Sequence, residues 1–273
     1  MSYKKILVEY REMSKPKNIW VIGDLHGEAS AVHNFYTQNK NHLSSDFREN
    51  VLIVLGDLGA NYFLSKRDEQ FKDALEKYPF TYFAIRGNHE ERPSILASEN
   101  PHDWHTEIYF NNKVYVEDFH PRILYALDEG GKYNINGRST LVVPGAYSID
   151  KDYRLMMGWS WFPKEQLNKE EKHNLLENLE PYYDIILSHT CPLRWQKDIS
   201  DLFLSAVDQS KVDNGMEAFL NRVSAQTDWK QWYFGHYHDD RDIPFADATM
   251  LFHTAVPFGM SLAEYQKYCL TNL

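Results

Sequence analysis

Short apolar runs that end in a glycine followed by a polar side chain recur along this 273-residue chain. The runs WVIGD, VLIVLGD and YFAIRGN each begin like a buried strand, and a segment with helical periodicity follows each of them. In the second such segment Phe71, Leu75 and Tyr78 form an apolar stripe, and Ser65 with Asp68 resembles a capping box. Three strand-then-helix units in succession predict an α/β fold with helices covering a sheet.

The pattern changes in the middle of the chain. From residue 114 to residue 143, short apolar runs separated by turns predict antiparallel strands or a mixed sheet, while the preceding NPHDWHTEIYF is expected to be a polar surface loop. Helical patterns return at KEEKHNLLENLEPY and NGMEAFLNRVS, on either side of the strand YDIILSH, and two further strands end the pattern. No repeat or Gly/Ser linker divides the sequence, so we predict a single domain over residues 1–273, with a short N-terminal extension over about 1–17.

The segment 145–162 leaves two interpretations open. In one, it is a surface loop whose tryptophans and Phe162 pack on the domain. In the other, it shapes the substrate site, with Tyr147, Lys151 and Arg154 offering hydrogen-bond donors to a phosphate group and tryptophan rings stacking on a base.

Composition narrows the class of protein and its partners. The formal net charge of −10 disfavours binding to long nucleic acids, although it does not exclude a short phosphate ester. The two cysteines, Cys191 and Cys269, cannot form a disulfide framework, which fits a reducing compartment. We find no run with the length of a signal peptide or a membrane span, and therefore expect a cytoplasmic protein that does not bind membranes.

The side chains best suited to bind metal ions stand directly after the predicted strands. They are Asp24 and His26, Asp57, Asn88 and His89, His189, and His236 with His238. Because ligand sites in α/β sheets form beyond the carboxyl ends of the strands, we expect these side chains to converge. Imidazole and carboxylate ligands without thiolates suit Mn, Fe, Co, Ni or Zn, and a carboxylate can bridge two ions. Two such ions can hold an attacking oxygen and a phosphoryl group together.

The motifs GDLHG, GD, GNHE, SHxxP and GHxH, in this order from Gly23 to His238, resemble those of the calcineurin-like metallophosphoesterase superfamily. The resemblance implies a four-layer αββα sandwich, in which two mixed β-sheets are flanked by helices and the metal site lies at the carboxyl ends of the strands. It also implies an enzyme that hydrolyses a phosphomonoester or a phosphodiester, by attack of a metal-activated hydroxide at phosphorus.

The resemblance assigns roles to single residues. It implies that Asp24, His26 and His238 hold one metal ion, that Asn88, His189 and His236 hold the other, and that Asp57 bridges the two. His89 would protonate the leaving oxygen, a role that suits a side chain with an ordinary pKa of about 6.5. Arg86 would contact a phosphate oxygen with its forked donors. Mn²⁺ is the metal that we choose for assays.

The sequence leaves three other functions open. The segment IRGNHEE is similar to that of serine/threonine protein phosphatases, but GDLGANY lacks their arginine after the second motif, which disfavours a phosphoprotein substrate. A nuclease acting on long duplexes is disfavoured by the net charge of −10. A non-catalytic scaffold is opposed by the intact motif set. We therefore expect a small phosphorylated substrate of nucleotide-like size.

Overall fold

The computed structural model of the chain describes residues 15–199 and 211–271. Residues 1–14 of the predicted N-terminal extension lie outside this part, and the single-domain organisation of residues 1–273 stays a prediction. Within the described ranges, no helix combines the length and the apolar character that a membrane crossing requires.

The first sheet contains seven strands with four parallel neighbours at its centre. Its strands are β1 (Asn18–Ile22), β2 (Asn50–Val54), β3 (Thr81–Ala84), β4 (Trp104–Tyr109), β5 (Asn112–Glu117), β6 (Ile123–Ala126) and β13 (Val256–Pro257). Their order is β13-β1-β2-β3-β6-β5-β4, and the pairs made by β13, β5 and β4 are antiparallel.

The second sheet contains six strands and is also mixed. Its strands are β7 (Gly131–Ile135), β8 (Arg138–Val143), β9 (Tyr182–Ser188), β10 (Asp228–Phe234), β11 (Arg241–Ile243) and β12 (Ala248–Met250). Their order is β11-β12-β10-β9-β8-β7, with parallel pairing from β8 through β9 and β10 to β12 and antiparallel pairs at both edges.

Helices cover the outer face of each sheet. The helices are α1 (Ser30–Asn39), α2 (Lys66–Leu75), α3 (Pro93–Glu99), α4 (Lys151–Met156), α5 (Lys169–Glu177), α6 (Gly215–Gln226) and α7 (Leu262–Thr271). Short 3₁₀ turns occur at Phe47–Glu49, Leu193–Asp198 and Pro244–Ala246. Buried residues of α1 and α2 pack on the first sheet, and buried residues of α5 and α6 pack on the second.

The core has three apolar layers because the central strands are buried on both faces. In β2, Val51 and Ile53 belong to the cluster between the sheets together with Ile185 of β9, whereas Leu52 and Val54 belong to the cluster under α1 and α2. This burial explains why the run VLIV is apolar throughout instead of alternating with polar residues. The predicted four-layer αββα sandwich is confirmed.

The start of α2 differs in detail from the predicted capping box. Ser65 is the N-cap, but its hydroxyl accepts from the main-chain N–H of Arg67 at 3.4 Å. The Asp68 carboxylate instead accepts from the main-chain N–H groups of Phe63 and Leu64, at 3.1 and 2.7 Å. Asp68 therefore fixes the turn that precedes the helix.

Other local predictions were wrong. NPHDWHTEIYF contains β4, an edge strand, because its residues pair in register with β5, as Trp104 does with Glu117. His105 in this strand bonds Asp118 and Glu107 at 2.6 and 2.8 Å. Helices α4 and α7 were also not predicted from the sequence.

Candidate metal centre

Strand register brings the motif turns to one edge of the molecule. Ile22 pairs with Val54, which pairs with Ala84, and in the second sheet Ser188 pairs with Phe234. Every one of these residues is at the carboxyl end of its strand, so the turns that follow lie side by side.

The two sheets are tied together at this edge. The main-chain N–H of His236, after β10, donates to both carboxylate oxygens of Asp24, after β1, at 3.1 Å. Asp24 is fully buried. Its carboxylate therefore fixes the position of one motif turn relative to the other.

Asp24, His26 and His238 form the first cluster of ligand atoms. The Nε2 atoms of His26 and His238 lie 2.8 Å apart, and Asp24 Oδ2 lies 3.3 Å from Nε2 of His238 and 3.8 Å from Nε2 of His26. Atoms that bind one ion with bonds of about 2.1 Å lie roughly 3 Å from one another. The three side chains therefore fit a shared metal ion.

His189 anchors the second cluster. Its Nδ1 lies 2.8 Å from the carbonyl oxygen of Leu55 and donates to it, which leaves the Nε2 lone pair free. That Nε2 lies 2.8 Å from Asn88 Oδ1 and 3.5 Å from Asp57 Oδ2. A lone pair that meets two oxygen acceptors has the chemistry of a metal ligand, so these residues also fit an ion.

Asp57 lies between the clusters, and His236 lies beside the second one. Oδ2 of Asp57 is 3.9 Å from His26 Nε2 and 3.5 Å from His189 Nε2, as a bridging carboxylate requires. The ring of His236 lies 5.0 Å from that of His189, centroid to centroid. The structure thus brings all seven sequence-predicted ligands to one site.

Burial and neighbouring charges shift the pKa values of His189 and His236 in opposite directions. Burial alone would lower the pKa of His189, but the carboxylates of Asp57 and Asp24 outweigh burial and raise it to about 9. Burial and the neighbouring His189 lower the pKa of His236 to about 3. The buried carboxylates thus favour a positive charge at this position, which a metal cation would supply while leaving the Nε2 lone pair of His189 for coordination.

Several of these residues have left-handed backbone conformations. The φ angles are 48° at His26, 46° at Asp57, 72° at His236 and 54° at His238. Such angles cost a residue with a Cβ about 1 kcal/mol or more. The turn of Asp57 is held because its carbonyl accepts from the main-chain N–H groups of Leu25 and His26, at 3.1 and 2.7 Å.

Two glycines leave room for the ligands. A Cβ at Gly87 would overlap Asp57 Oδ1, and a Cβ at Gly56 would overlap the His189 ring. Since neither neighbour is the free end of a flexible chain, both positions require glycine for close approach.

His89 lies beside two of the proposed metal ligands, His26 and Asp57. Its main-chain N–H donates to Asp57 Oδ1 at 2.8 Å, and its ring lies 5.0 Å from that of His26 and 5.8 Å from that of Tyr62. Burial lowers its pKa, Asp57 opposes this shift, and the Arg154 cation adds to it. The His89 ring therefore lies beside His26 and Asp57, and its role as the proton donor stays a prediction.

The Arg86 guanidinium is buried and bonded to main-chain carbonyl groups. Arg86 is 3% exposed, and its Nη1 donates to the carbonyl oxygens of Gly87 and Glu165, at 3.0 and 2.6 Å. Its Nε lies 3.8 Å from Asp128. In this arrangement the guanidinium supports the domain interior, and its geometry does not favour the predicted contact with a phosphate oxygen.

The segment 145–162 combines parts of both interpretations. Phe162 is buried, as packing on the domain predicts, while Lys151 lies over the Trp161 ring at 4.0 Å. Arg154 of α4 is 0% exposed, and its Nη1 reaches 3.4 Å from His89 Nε2. Arg154 therefore contacts the site from the interior and not as an exposed phosphate ligand.

Sequence reasoning missed three polar residues around the centre. Glu90 is buried and accepts from the main-chain N–H groups of Gly59 and Gly87, and burial raises its pKa to about 8. Ser148 lies 3.0 Å from Asn88 Nδ2, and Glu165 lies behind Ser148. The GNHE motif could have pointed to Glu90, but no motif marks the other two.

A further cluster of metal-type ligands occurs among the described residues, away from this centre. It consists of Glu69, Glu117 and His120. The Lys72 ammonium group lies between the two glutamates, 3.0 Å from Glu69 and 2.6 Å from Glu117. This cluster therefore already has its counter-cation.

Two bacterial proteins are among the solved structures to which the chain is similar. The phosphopantetheinyl hydrolase of Mycobacterium tuberculosis is 15% identical, with 87% of this chain and 88% of that chain covered at a TM-score of 0.42. The protein TT1561 of Thermus thermophilus is 12% identical, with 87% and 89% covered at a TM-score of 0.43. No curated protein sequence matches the chain significantly.

The family comparison covers most of the chain. The family described as calcineurin-like phosphoesterase matches residues 17–240. This range contains all five motifs and every residue of the centre described above. The chain therefore belongs to the calcineurin-like phosphoesterase family and is a metal-dependent hydrolase of phosphate esters.

Proposed function

We propose that this enzyme hydrolyses a small phosphomonoester or phosphodiester, by attack of a metal-activated hydroxide at phosphorus. The observation that carries the proposal is the pair of close approaches around Asp57. Nε2 of His26 meets Nε2 of His238 at 2.8 Å, and Nε2 of His189 meets Oδ1 of Asn88 at 2.8 Å. Such groups converge when each pair is built to share a cation.

The proposed ligand sets follow from these distances. Asp24, His26 and His238 would hold one ion, Asn88, His189 and His236 the other, and Asp57 would bridge them. When bound, the two ions would polarise the phosphoryl group and lower the pKa of the attacking water. His89 would then protonate the leaving oxygen, and the main-chain bond to Asp57 keeps its backbone in place.

The proposed substrate is small and nucleotide-like in size. The net charge of −10 supports this choice over a long nucleic acid. Tyr62, whose ring lies 5.8 Å from that of His89, provides an aromatic surface beside the proposed proton donor. The cytoplasm is the proposed compartment, which two unpaired cysteines support.

The direct test is an assay of the purified protein with added Mn²⁺. We expect hydrolysis of p-nitrophenyl phosphate, of bis-p-nitrophenyl phosphate, or of both, and the ratio of the two rates defines monoester or diester preference. A panel of phosphate monoesters, cyclic nucleotides, dinucleotides and phosphopeptides then identifies the substrate class. Hydrolysis of phosphopeptides alone would favour a protein phosphatase, and no hydrolysis with any of several metals would contradict the proposal.

A further inference from the structure

The Asn88 side chain presents two different ends to its surroundings. Its Oδ1 lies 2.8 Å from His189 Nε2, whereas its Nδ2 donates to Ser148 Oγ at 3.0 Å. Only the oxygen can bind a cation, because the amide nitrogen carries two hydrogens and offers no lone pair. A half-turn of the amide would aim the wrong atom at the metal position.

The Ser148 hydroxyl determines which end faces His189. Besides Asn88 Nδ2, Nη1 of Arg154 lies 2.9 Å from Ser148 Oγ, and both of these groups can only donate. The two lone pairs of the hydroxyl are therefore used as acceptors. Its single hydrogen is left for Glu165 Oε2, at 2.5 Å.

Arg154 and Glu165 are themselves fixed. Arg154 donates through Nε and Nη2 to the Ser160 carbonyl, at 2.9 and 2.6 Å. The Glu165 carboxylate accepts from the Ser148 main-chain N–H at 3.1 Å and from Trp161 Nε1 at 2.9 Å. The hydroxyl thus sits between an anchored cation and an anchored carboxylate and cannot turn its hydrogen towards Asn88.

We propose that Ser148 is a positioning residue for the metal centre: with Arg154 and Glu165, it locks the Asn88 amide with its oxygen towards the metal. This inference rests on the proposed role of Asn88 as a metal ligand. It also gives the segment 145–165 a function, since Ser148, Arg154 and Glu165 all belong to it. Ser148 is 1% exposed, so this lock is closed to solvent.

The first test measures Mn²⁺ binding to metal-free protein by calorimetry. We expect two sites in the wild type, and in Ser148→Ala one of them weakened about 10- to 100-fold. Ser224→Ala is the matched control, because Ser224 is a buried serine of α6 whose hydroxyl bonds the Asn221 carbonyl. Unchanged affinity at both sites of Ser148→Ala would overturn the proposal, while a wild type that binds no Mn²⁺ would refute the proposed function instead.

A second test separates positioning from a general structural effect. A carboxylate has two equivalent oxygens, so an Asn88→Asp protein has no amide orientation to fix. We therefore expect Ser148→Ala to weaken Mn²⁺ binding in the wild-type background and to leave it unweakened in the Asn88→Asp background. Equal weakening in both backgrounds would contradict the proposal.

A further variant keeps Ser148 and removes its partner. Arg154→Gln is expected to weaken the same Mn²⁺ site, because the hydroxyl loses the cation that orients it. Met156→Ala is the control, since Met156 belongs to the same helix and is 73% exposed. Wild-type Mn²⁺ affinity in Arg154→Gln would exclude Arg154 from the lock.

Discussion

The carboxylate of Asp57 accepts the main-chain N–H of His89 through Oδ1 at 2.8 Å. Its other oxygen faces the proposed metal positions, 3.5 Å from His189 Nε2 and 3.9 Å from His26 Nε2. One side chain thus couples the proposed metal bridge to the loop that carries the proposed proton donor. A change at Asp57 should therefore lower both metal content and turnover. A change of the His89 side chain should lower turnover alone.

Asp57→Ala should lose metal and activity together. The change removes the proposed bridge and also the acceptor for the His89 N–H. We expect metal content, measured by mass spectrometry after dialysis, to fall in parallel with hydrolysis. Asp73→Ala is the control, because the Asp73 side chain is 70% exposed on α2. A fully active Asp57→Ala protein would rule out the bridging role.

His89→Ala should retain its metal and lose turnover. Removing a general acid costs about 10²- to 10⁴-fold in rate, while none of the proposed ligands changes. The measurement is kcat beside metal content, with the exposed His42 changed to Ala as the control. Loss of metal in His89→Ala would show that His89 is a ligand, and an unchanged kcat would show that it transfers no proton.

Gly87→Ala should damage the centre although no ligand is altered. The added Cβ would overlap Asp57 Oδ1, so the carboxylate or its loop has to shift. Gly137→Ala is the matched control: its φ is +85°, but nothing lies within 4 Å of the added Cβ. We expect the control to lose about 1 kcal/mol of stability and to keep its metal, and the Gly87 variant to lose metal. If Gly137→Ala lost more metal than Gly87→Ala, this interpretation of the site would be contradicted.

Metal removal should lower the melting temperature. A cation that binds the folded chain alone stabilises it by about 2.7 kcal/mol when its free concentration is 100 times its Kd. Thermal melts with a chelator and with increasing Mn²⁺ measure this effect. Asp24→Ala should show a much smaller metal-dependent increase, because its carboxylate is buried between the two histidines of the first cluster. A melting temperature that is independent of metal would argue against tight binding.

Arg86→Met should affect stability more than substrate binding. Removing one partner of a buried ion pair costs about 3 kcal/mol or more, and Arg86 and Asp128 are both 2% exposed in their side chains. Arg67→Met, at an exposed position of α2, is the control for the loss of an arginine. We expect a lower melting temperature with an unchanged KM. A raised KM with normal stability would instead restore Arg86 as a phosphate ligand.

The sequence allowed the strands and the proposed ligands to be predicted because both follow one local rule. Each buried strand is an apolar run, and each ligand follows its carboxyl end, so register alone aligns Asp24 with Asp57 in one sheet and His189 with His236 in the other. The left-handed turns could not be predicted in the same way. Glycine is the residue expected at positive φ, whereas His26 and Asp57 adopt it because main-chain bonds across the site hold them there.

The surroundings of the centre were harder to predict because burial there reverses the usual pattern. Helix α4 places Arg154 inside, while Tyr153, Leu155 and Met156 are 50%, 52% and 73% exposed. The apolar residues of this helix therefore mark its exposed face, and the usual rule that apolar residues face the core does not predict it. The sequence offered both Arg86 and Arg154 as possible phosphate contacts and did not distinguish them. Only the fold shows that Arg154 approaches His89 and that Arg86 approaches Asp128.

His26 and His238, whose ring nitrogens meet in the first cluster, are separated by 212 positions in the chain. They follow β1 and β10, which belong to different sheets. Because closing so long a loop costs conformational entropy, we expect such contacts to form late in folding, after local structure is in place. Metal capture at this centre would therefore mark the completion of folding, and a partly folded chain would contain the ligands without yet containing the site.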